Sequence, residues 1–596
     1  MIEVGNVTAV VGVEITIRAN EDSNLETHFY DGEAFKGVSI REFVSISHGF
    51  REIICLVEGE YLDERLTEGD GPSSHYVRKL KARPVGFFED GIFQDGIKFL
   101  PKIGDPVFLL PQNRVESVFE KRSGNGFSIG RLLKEDLEIS LPWQGLFNTH
   151  IGIFGNTGSG KSNTLAKLYT SPFDRKLEGI SQSSRFIFLD FNGEYVGNQL
   201  ATSEYKAVTR LKTKGEANEF FYLRPSEFWD AETLGILFQA TQNTQKPFLR
   251  RIVSGRNRFA GVADSLSRYI ETTFVRVLRS KDPSLEALEQ LKHLARNLDD
   301  EGALVSNLDK VGLRRGSDID SFHFIDAGGT WHFLSGDAQE DFVQETFFDL
   351  VEEIDITELN GFDELQVRAS VQIIRDVLSG SVQYEHIHPL LRRIDALKED
   401  LSKVISVGEE AGLPEQPVTV ISLRETRQEV KKILPILIAK HYYEAHKESV
   451  SSPPETTAHL IIDEAHNILS TQSSREAESW KDYRLELFEE IIKEGRKFGF
   501  FVTLASQRPS DISPTIVSQV HNYFIHRLVN DRDLALLDNA ISTLDSVSRS
   551  QIPTLPKGAC VVTGTTFDIP MLLQVEKLVG EKEPDSRDVD LAKLWN

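Results

Sequence analysis

The chain has 596 residues, enough for two to four domains with full cores, and its 40% hydrophobic and 27% charged residues are those of an ordinary globular protein. A net charge of −24 excludes a protein coated in basic surface for nucleic acid, although a few cations lining a channel can act against an acidic exterior. No apolar run is long enough for a membrane span, no basic-then-apolar leader is visible at Met1–Gly5, and Cys55 and Cys560 read as reduced core cysteines of a cytoplasmic protein.

The first 115 residues are β-rich. Val7–Ile17 is a β-branched run broken by Gly12, Glu52–Val57 and Pro106–Pro111 are further strands, and Glu68–Ser74 is a Gly/Pro/Ser-rich loop. Short strands without helical periodicity predict a small barrel or sandwich. Near residue 128 the pattern changes. Ile151–Phe154 is an apolar strand that feeds a glycine-rich loop, with a helix over Asn163–Tyr169 behind it. Arg185–Leu189 ends at Asp190, and Val418–Leu423 precedes a helix over Arg427–Lys447. His459–Ile462 ends at Asp463, and Phe500–Leu504 ends at Ala505-Ser506-Gln507. Continuous apolar strands alternating with helices predict an α/β fold with a parallel sheet covered on both faces. From Phe228 to about Glu415 the pattern is mostly helical: Leu285–Leu294 and Val367–Leu378 carry apolar residues at three-to-four spacing. This block therefore reads as a helical insertion between the second and third core strands.

The segment Gly155-Asn156-Thr157-Gly158-Ser159-Gly160-Lys161-Ser162 fits G-x-x-x-x-G-K-S throughout. Its glycines let the backbone curl so that N–H groups point at phosphate oxygens, Lys161 reaches the β- and γ-phosphates, and the Ser162 hydroxyl ligates Mg²⁺. With Asn163 opening the helix, the nucleotide-binding stretch covers Gly155–Asn163, and the cofactors expected are ATP and Mg²⁺. Asp463, at the end of an apolar strand, is placed to hold Mg²⁺ through water, and Glu464 to orient and deprotonate the attacking water. The 302-residue separation of Lys161 from Asp463 is accounted for by the insertion. Gln507 follows the fifth strand and is a candidate sensor of the γ-phosphate, against the plainer reading of a polar turn before Pro509. Trp480–Phe498 is amphipathic, with Trp480, Tyr483, Leu487 and Ile491 on one stripe and Gly499 suited to its C-cap. Arg496 at its end fits either a cation at a helix C-terminus or an arginine that stabilises transition-state charge in a neighbouring subunit. His386 and His388 lack the spacing of a metal site. Arg250, Arg251, Arg256 and Arg258 fit a solvated helix face better than a phosphate-binding patch.

Together these stretches resemble the HerA family of hexameric DNA-translocating ATPases, relatives of the FtsK motors. The resemblance is carried by Ile129-Gly130-Arg131-Leu132, His150–Thr164, Leu189–Tyr195, Asp463-Glu464-Ala465-His466, Glu494–Gly499, Ser506–Ser510 and Leu555–Val562 with Gly564. It implies a RecA-like P-loop core over residues 128–228 and 416–575, a β-barrel domain over 1–127, a helical bundle over 229–415 and a tail over 576–596. It also implies a homohexamer with ATP between neighbours, double-stranded DNA through the centre, and Arg496 as the trans-acting arginine. Relatives work with a separate NurA-like nuclease in DNA end processing, or with another nuclease or a sirtuin-like NADase in anti-phage defence, and the barrel is the expected docking surface. Two stretches depart from the family pattern. Asn148-Thr149-His150 stands where members often carry an arginine, and Asp190-Phe191-Asn192-Gly193-Glu194-Tyr195 replaces the usual Asp-Pro-His-Gly-Glu-Tyr. The competing readings are an ATP-dependent scaffold that assembles an effector, suggested by the acidic composition, and a conjugation-type ATPase.

Overall fold

Strands β1 (Glu3–Val11), β2 (Glu14–Ala19), β3 (Phe43–His48), β4 (Arg51–Thr67), β5 (Ser73–Glu89), β6 (Ile92–Asp95) and β7 (Pro106–Leu109) form one sheet in the order β2-β1-β7-β3-β4-β5-β6. Strand β2 pairs back onto β5, from Ile15 opposite Ala82 to Arg18 opposite Lys79, which closes six of the strands into a barrel and removes its free edges. The β-branched run Val7–Ile17 is two strands joined by a turn at Gly12, whose φ of 60° suits glycine. Val7, Ile15, Ile17, Val44, Ile46 and Cys55 fill the interior at the alternate spacing a pleated strand imposes. This computed structural model describes residues 2–586 except 25–26, 31–32, 68–72, 120–125, 217–218, 261, 263, 299–301, 316–319, 335–339, 355, 357–358, 409–413 and 473–477, and also residues 594–595. Most of the loop expected over Glu68–Ser74, and much of the tail after residue 586, lie outside the described residues; Ser73 and Ser74 belong to β5.

A ten-stranded sheet forms the core. Its strands are β8 (Gly130–Leu132), β9 (Ile151–Phe154), β10 (Ser184–Asp190), β11 (Lys206–Lys212), β12 (Val418–Glu425), β13 (Thr457–Ile462), β14 (Phe500–Ser506), β15 (Asn522–His526), β16 (Ala559–Gly564) and β17 (Met571–Val575). They lie in the order β8-β17-β16-β15-β9-β14-β13-β10-β12-β11. From β15 to β11 neighbours are parallel, and β16, β17 and β8 extend the sheet antiparallel. All four residues of β9 are buried, as a central strand covered on both faces requires. Three helices matter for the site: α1 (Lys161–Ser183), α2 (Gln428–Ser449) and α3 (Glu478–Glu494). Phe43, Ile54 and Phe88 of the barrel share one hydrophobic cluster with Phe127, Ile153 and Tyr169 of the core, so the barrel is seated on the sheet's helical layer.

Between β11 and β12 the chain makes a mainly helical excursion with its own core around Phe274, Leu291, Phe322, Phe347 and Ile374. It is not wholly helical. Val311–Arg314, Ser321–Ile325 and Trp331–Phe333 form a small antiparallel sheet, with His323 stacked on Trp331 at 4.2 Å. Phe221–Leu223 and Ile405–Val407 pair in parallel where the excursion leaves and rejoins the core. Strands this short carry too few residues for a period of two to stand out. Among the described residues no helix is long and apolar enough to cross a membrane, and both cysteines are free and buried.

Candidate active site

The phosphate-binding loop is built by its neighbours in the sheet. Gly155 N–H donates to Ser506 O at the end of β14, Asn156 N–H to Arg527 O just past β15, and Gly558 N–H, just before β16, to Ser159 O (3.2, 2.9 and 2.8 Å). Two glycines are required by geometry. Gly160 has a φ of 111° and a Cβ there would lie 2.8 Å from Gly558 Cα; at Gly155 a Cβ would lie 2.5 Å from His526 Cβ. Helix α1 begins immediately afterwards with no side-chain cap on Gly160, leaving its first N–H groups and the positive end of its dipole directed at the loop.

Three strand ends converge there. Lys161 Nζ lies 2.9 Å from Asp463 Oδ1 and 3.0 Å from Glu464 Oε1, all three side chains being almost wholly buried. Burial alone would lower the Lys161 pKa, but Asp463 and Glu464 outweigh it and hold the ammonium charged well above its ordinary range. Gln507, at the end of β14, donates its amide to Glu464 Oε1 and accepts from the Thr157 hydroxyl, joining the loop to the acid. Strand β14 lies between β9 and β13, so Gln507 stands between the loop and the carboxylate pair. Glu464 has a φ of 52°, an uncommon conformation for a residue with a side chain, held by Glu464 N–H on Asp463 Oδ1 and by Ala465 N–H on Ala505 O. Its Oε2 is buried without a hydrogen-bond partner, 3.4 Å from His466 Nδ1.

Glu194 is a third acid whose importance the sequence left open. Asp190 at the end of β10 accepts the N–H groups of Asn192, Gly193 and Glu194 on Oδ1 and of Tyr195 on Oδ2 (3.2, 2.7, 3.1 and 2.9 Å). This clamp presents Glu194 to the Ser162 hydroxyl and Tyr195 OH to Asp463 Oδ2, 3.4 Å away. Burial and the nearby Asp463 push the Glu194 pKa up to about 7, and its Oε2 is buried without a partner. Also unforeseen is His526, fully buried at the end of β15 against Gly155, with Nδ1 2.9 Å from Ala559 O and a pKa lowered to about 4 by burial. Asn522, Tyr523 and His526 are polar, so no apolar run marks β15.

The donor set fits a nucleotide with Mg²⁺. One buried cation faces the carboxylates of Asp463, Glu464 and Glu194, two of which carry an orphaned oxygen, and the Ser162 hydroxyl sits among them. A divalent ion would correct that excess of negative charge. Among the described residues no three His, Cys, Asp or Glu side chains close into a metal cage.

Of the other residues singled out, Asn163 is drawn to the chain after β17: its Nδ2 donates to Glu576 O at 3.0 Å and its Oδ1 accepts Leu578 N–H at 2.9 Å. Arg496 is not brought to this cluster. It is exposed in the tight turn Gly495–Phe498 after α3, beside His150 and His521 at the opposite ends of the strands. Strand β9 separates the two places by roughly 13 Å, at about 3.3 Å per residue, beyond the reach of one arginine. In the basic cluster, Arg251 pairs with Asp376 at 2.7 Å, and Arg256 with Glu364 at 3.1 Å while stacking on Trp229. His388 accepts from Arg392 Nε at 3.2 Å.

A parallel sheet with a phosphate loop on one strand, a carboxylate pair on another and a polar strand end between them defines a RecA-like P-loop ATPase. The family model "Helicase HerA, central domain" matches residues 127–378. The probable DNA double-strand break repair helicase HerA of Methanocaldococcus jannaschii is 23% identical over 523 residues, 84% of this chain and 86% of that one. The DNA double-strand break repair helicase HerA of Pyrococcus furiosus is 21% identical over 513 residues, 83% of this chain and 78% of its own. Among solved structures, the plasmid coupling protein TrwB in complex with ADP and Mg²⁺ is similar at a TM-score of 0.43 and 12% identity, over 80% of this chain and 94% of TrwB. The chain is thus similar to HerA helicases over most of its length, and it is an ATP-hydrolysing enzyme.

Proposed function

We infer that this chain is the ATP-driven motor of a homohexameric ring that moves double-stranded DNA through its centre. The observation that carries the reading is the buried cluster of Lys161, Asp463, Glu464 and Gln507 built onto the phosphate loop. Residues 155–163 bind the nucleotide, and Lys161 exchanges its two carboxylates for the β- and γ-phosphates. Mg²⁺, when bound, neutralises phosphate charge, and Ser162 and Asp463 are the residues that would hold it. Glu464, released from Lys161, orients the attacking water and takes its proton. Gln507 links that carboxylate to Thr157 and so reports hydrolysis to the loop. Arg496 is supplied to a neighbouring subunit, because its own loop is out of reach.

The relatives' names as DNA repair helicases support DNA as the substrate. The barrel presents exposed apolar side chains at Val11, Phe50 and Ile103, which support it as the dock for a separate effector, a nuclease or NADase in end processing or anti-phage defence. The net charge of −24 favours one other reading, an ATP-dependent scaffold that assembles the effector without moving DNA. Steady-state hydrolysis with and without duplex DNA, alongside DNA binding at low salt, separates the two. Stimulation by DNA is expected. A ring that hydrolyses ATP with neither stimulation nor DNA binding overturns the motor.

A further inference from the structure

His150 immediately precedes β9, the strand that runs into the phosphate loop. It is 1% exposed, and burial holds its pKa down at about 4, so the ring is neutral. Its tautomer is fixed by its partners. Val502 N–H donates to Nδ1 at 3.0 Å, so the proton sits on Nε2, which donates to Ile492 O at 2.8 Å. Its own carbonyl accepts the N–H groups of His521 and Asn522 at 3.0 and 3.2 Å. One residue therefore ties the loop strand to β14, to the entry of β15 and to the last turn of α3. Ile492 lies in the last turn of α3, and the tight turn Gly495–Phe498 that follows carries Arg496, close enough for its charge to act on the His150 and His521 rings. A bond at this carbonyl fixes where the helix ends, and hence where the guanidinium points.

We propose that His150 is the positioning residue for Arg496, coupling the strand under one subunit's phosphate loop to the arginine that the same subunit offers its neighbour. The proposal rests on the reading of Arg496 as a trans-acting residue. It makes the arginine's placement answer to the nucleotide state of its own subunit, through a rigid path of one strand and one side chain.

The assay is ATP hydrolysis by mixed rings, which separates receiving an arginine from donating one. His150→Leu and His150→Met remove both bonds at similar volume; His150→Gln keeps a donor and an acceptor. His150→Leu rings are expected to bind nucleotide with unchanged KM and to lose about tenfold in kcat, with His150→Gln within about twofold of the natural chain. Mixed with Glu464→Gln subunits, which still donate Arg496, His150→Leu subunits should recover activity; mixed with Arg496→Ala subunits they should not. The converse pattern, recovery with Arg496→Ala but not with Glu464→Gln, overturns the proposal and places the defect in the phosphate loop. His150→Met is read by the same two mixtures, so failure of the leucine variant to assemble leaves the test standing. A His150→Gln ring as slow as His150→Leu also overturns it. If Glu464→Gln and Arg496→Ala subunits do not complement each other, the trans reading itself falls and the proposal falls with it.

Discussion

The two ends of the ten-stranded sheet treat charge in opposite ways. At the carboxyl ends of β9, β13 and β14, Lys161, Asp463, Glu464 and Gln507 satisfy one another inside the protein. At the amino ends the buried His150 ring is neutral, and Arg496 lies exposed with no ion-pair partner among the described residues. A closed buried network contributes to the fold of the subunit that contains it, whereas an exposed unpaired cation contributes little to its own subunit and is available to another. One end thus holds the nucleotide site of its own subunit, and in the proposed ring the other end offers its arginine to a neighbour's site.

The comparison is most easily broken with Lys161→Ala and Arg496→Ala measured side by side. Lys161→Ala should reduce hydrolysis by at least about 10²–10³-fold and also destabilise the subunit by on the order of 3 kcal/mol, because two buried carboxylates lose their cation. Arg496→Ala should reduce hydrolysis by roughly 10³-fold while shifting stability by no more than about 0.5 kcal/mol. Thermal melts together with steady-state rates read both. An Arg496→Ala subunit as destabilised as Lys161→Ala would show that the amino end is structural after all.

A smaller effect sharpens the carboxyl end. The Glu194 pKa is raised from 4.5 to about 7, so the folded protein holds a proton there that the unfolded chain has already released. The stability contributed is fully present below pH 4.5 and is lost as pH rises through 7. Relative to Glu194→Gln, the nucleotide-free natural chain should therefore weaken across that window, by at most about 3 kcal/mol. Chemical denaturation of both proteins at a series of pH values checks it. A difference that stays flat would mean that Glu194 is solvated or already paired.

Much of this end was legible because its chemistry is local. Gly155–Ser162 spells its own backbone geometry, and Asp463-Glu464 follows an unbroken apolar strand. The barrel's strands announced themselves through β-branched runs, but its closure of β2 onto β5 spans more than sixty residues and leaves no local trace. What could not be read depends on buried polar groups paired across the sheet. Asn522 Nδ2 donates to Thr149 Oγ1 at 2.7 Å and Tyr523 OH to Val517 O at 2.8 Å, so β15 is a core strand written in polar residues. His150 looked like a missing arginine, and only its two bonds to Val502 and Ile492 give it a role. Arg496 was equally a helix-end cation in sequence, and its distance from Lys161 along β9 rules out only a role at its own subunit's loop.

The central claim is that each site is completed by the next subunit, and mixed rings of Glu464→Gln and Arg496→Ala subunits test it most directly. Each variant alone should be nearly inactive, and an equal mixture should recover up to about a quarter of the natural rate, the fraction of interfaces pairing an intact Glu464 with an intact Arg496 in a head-to-tail ring. A mixture no more active than either parent, in rings shown to have exchanged subunits, would contradict the account.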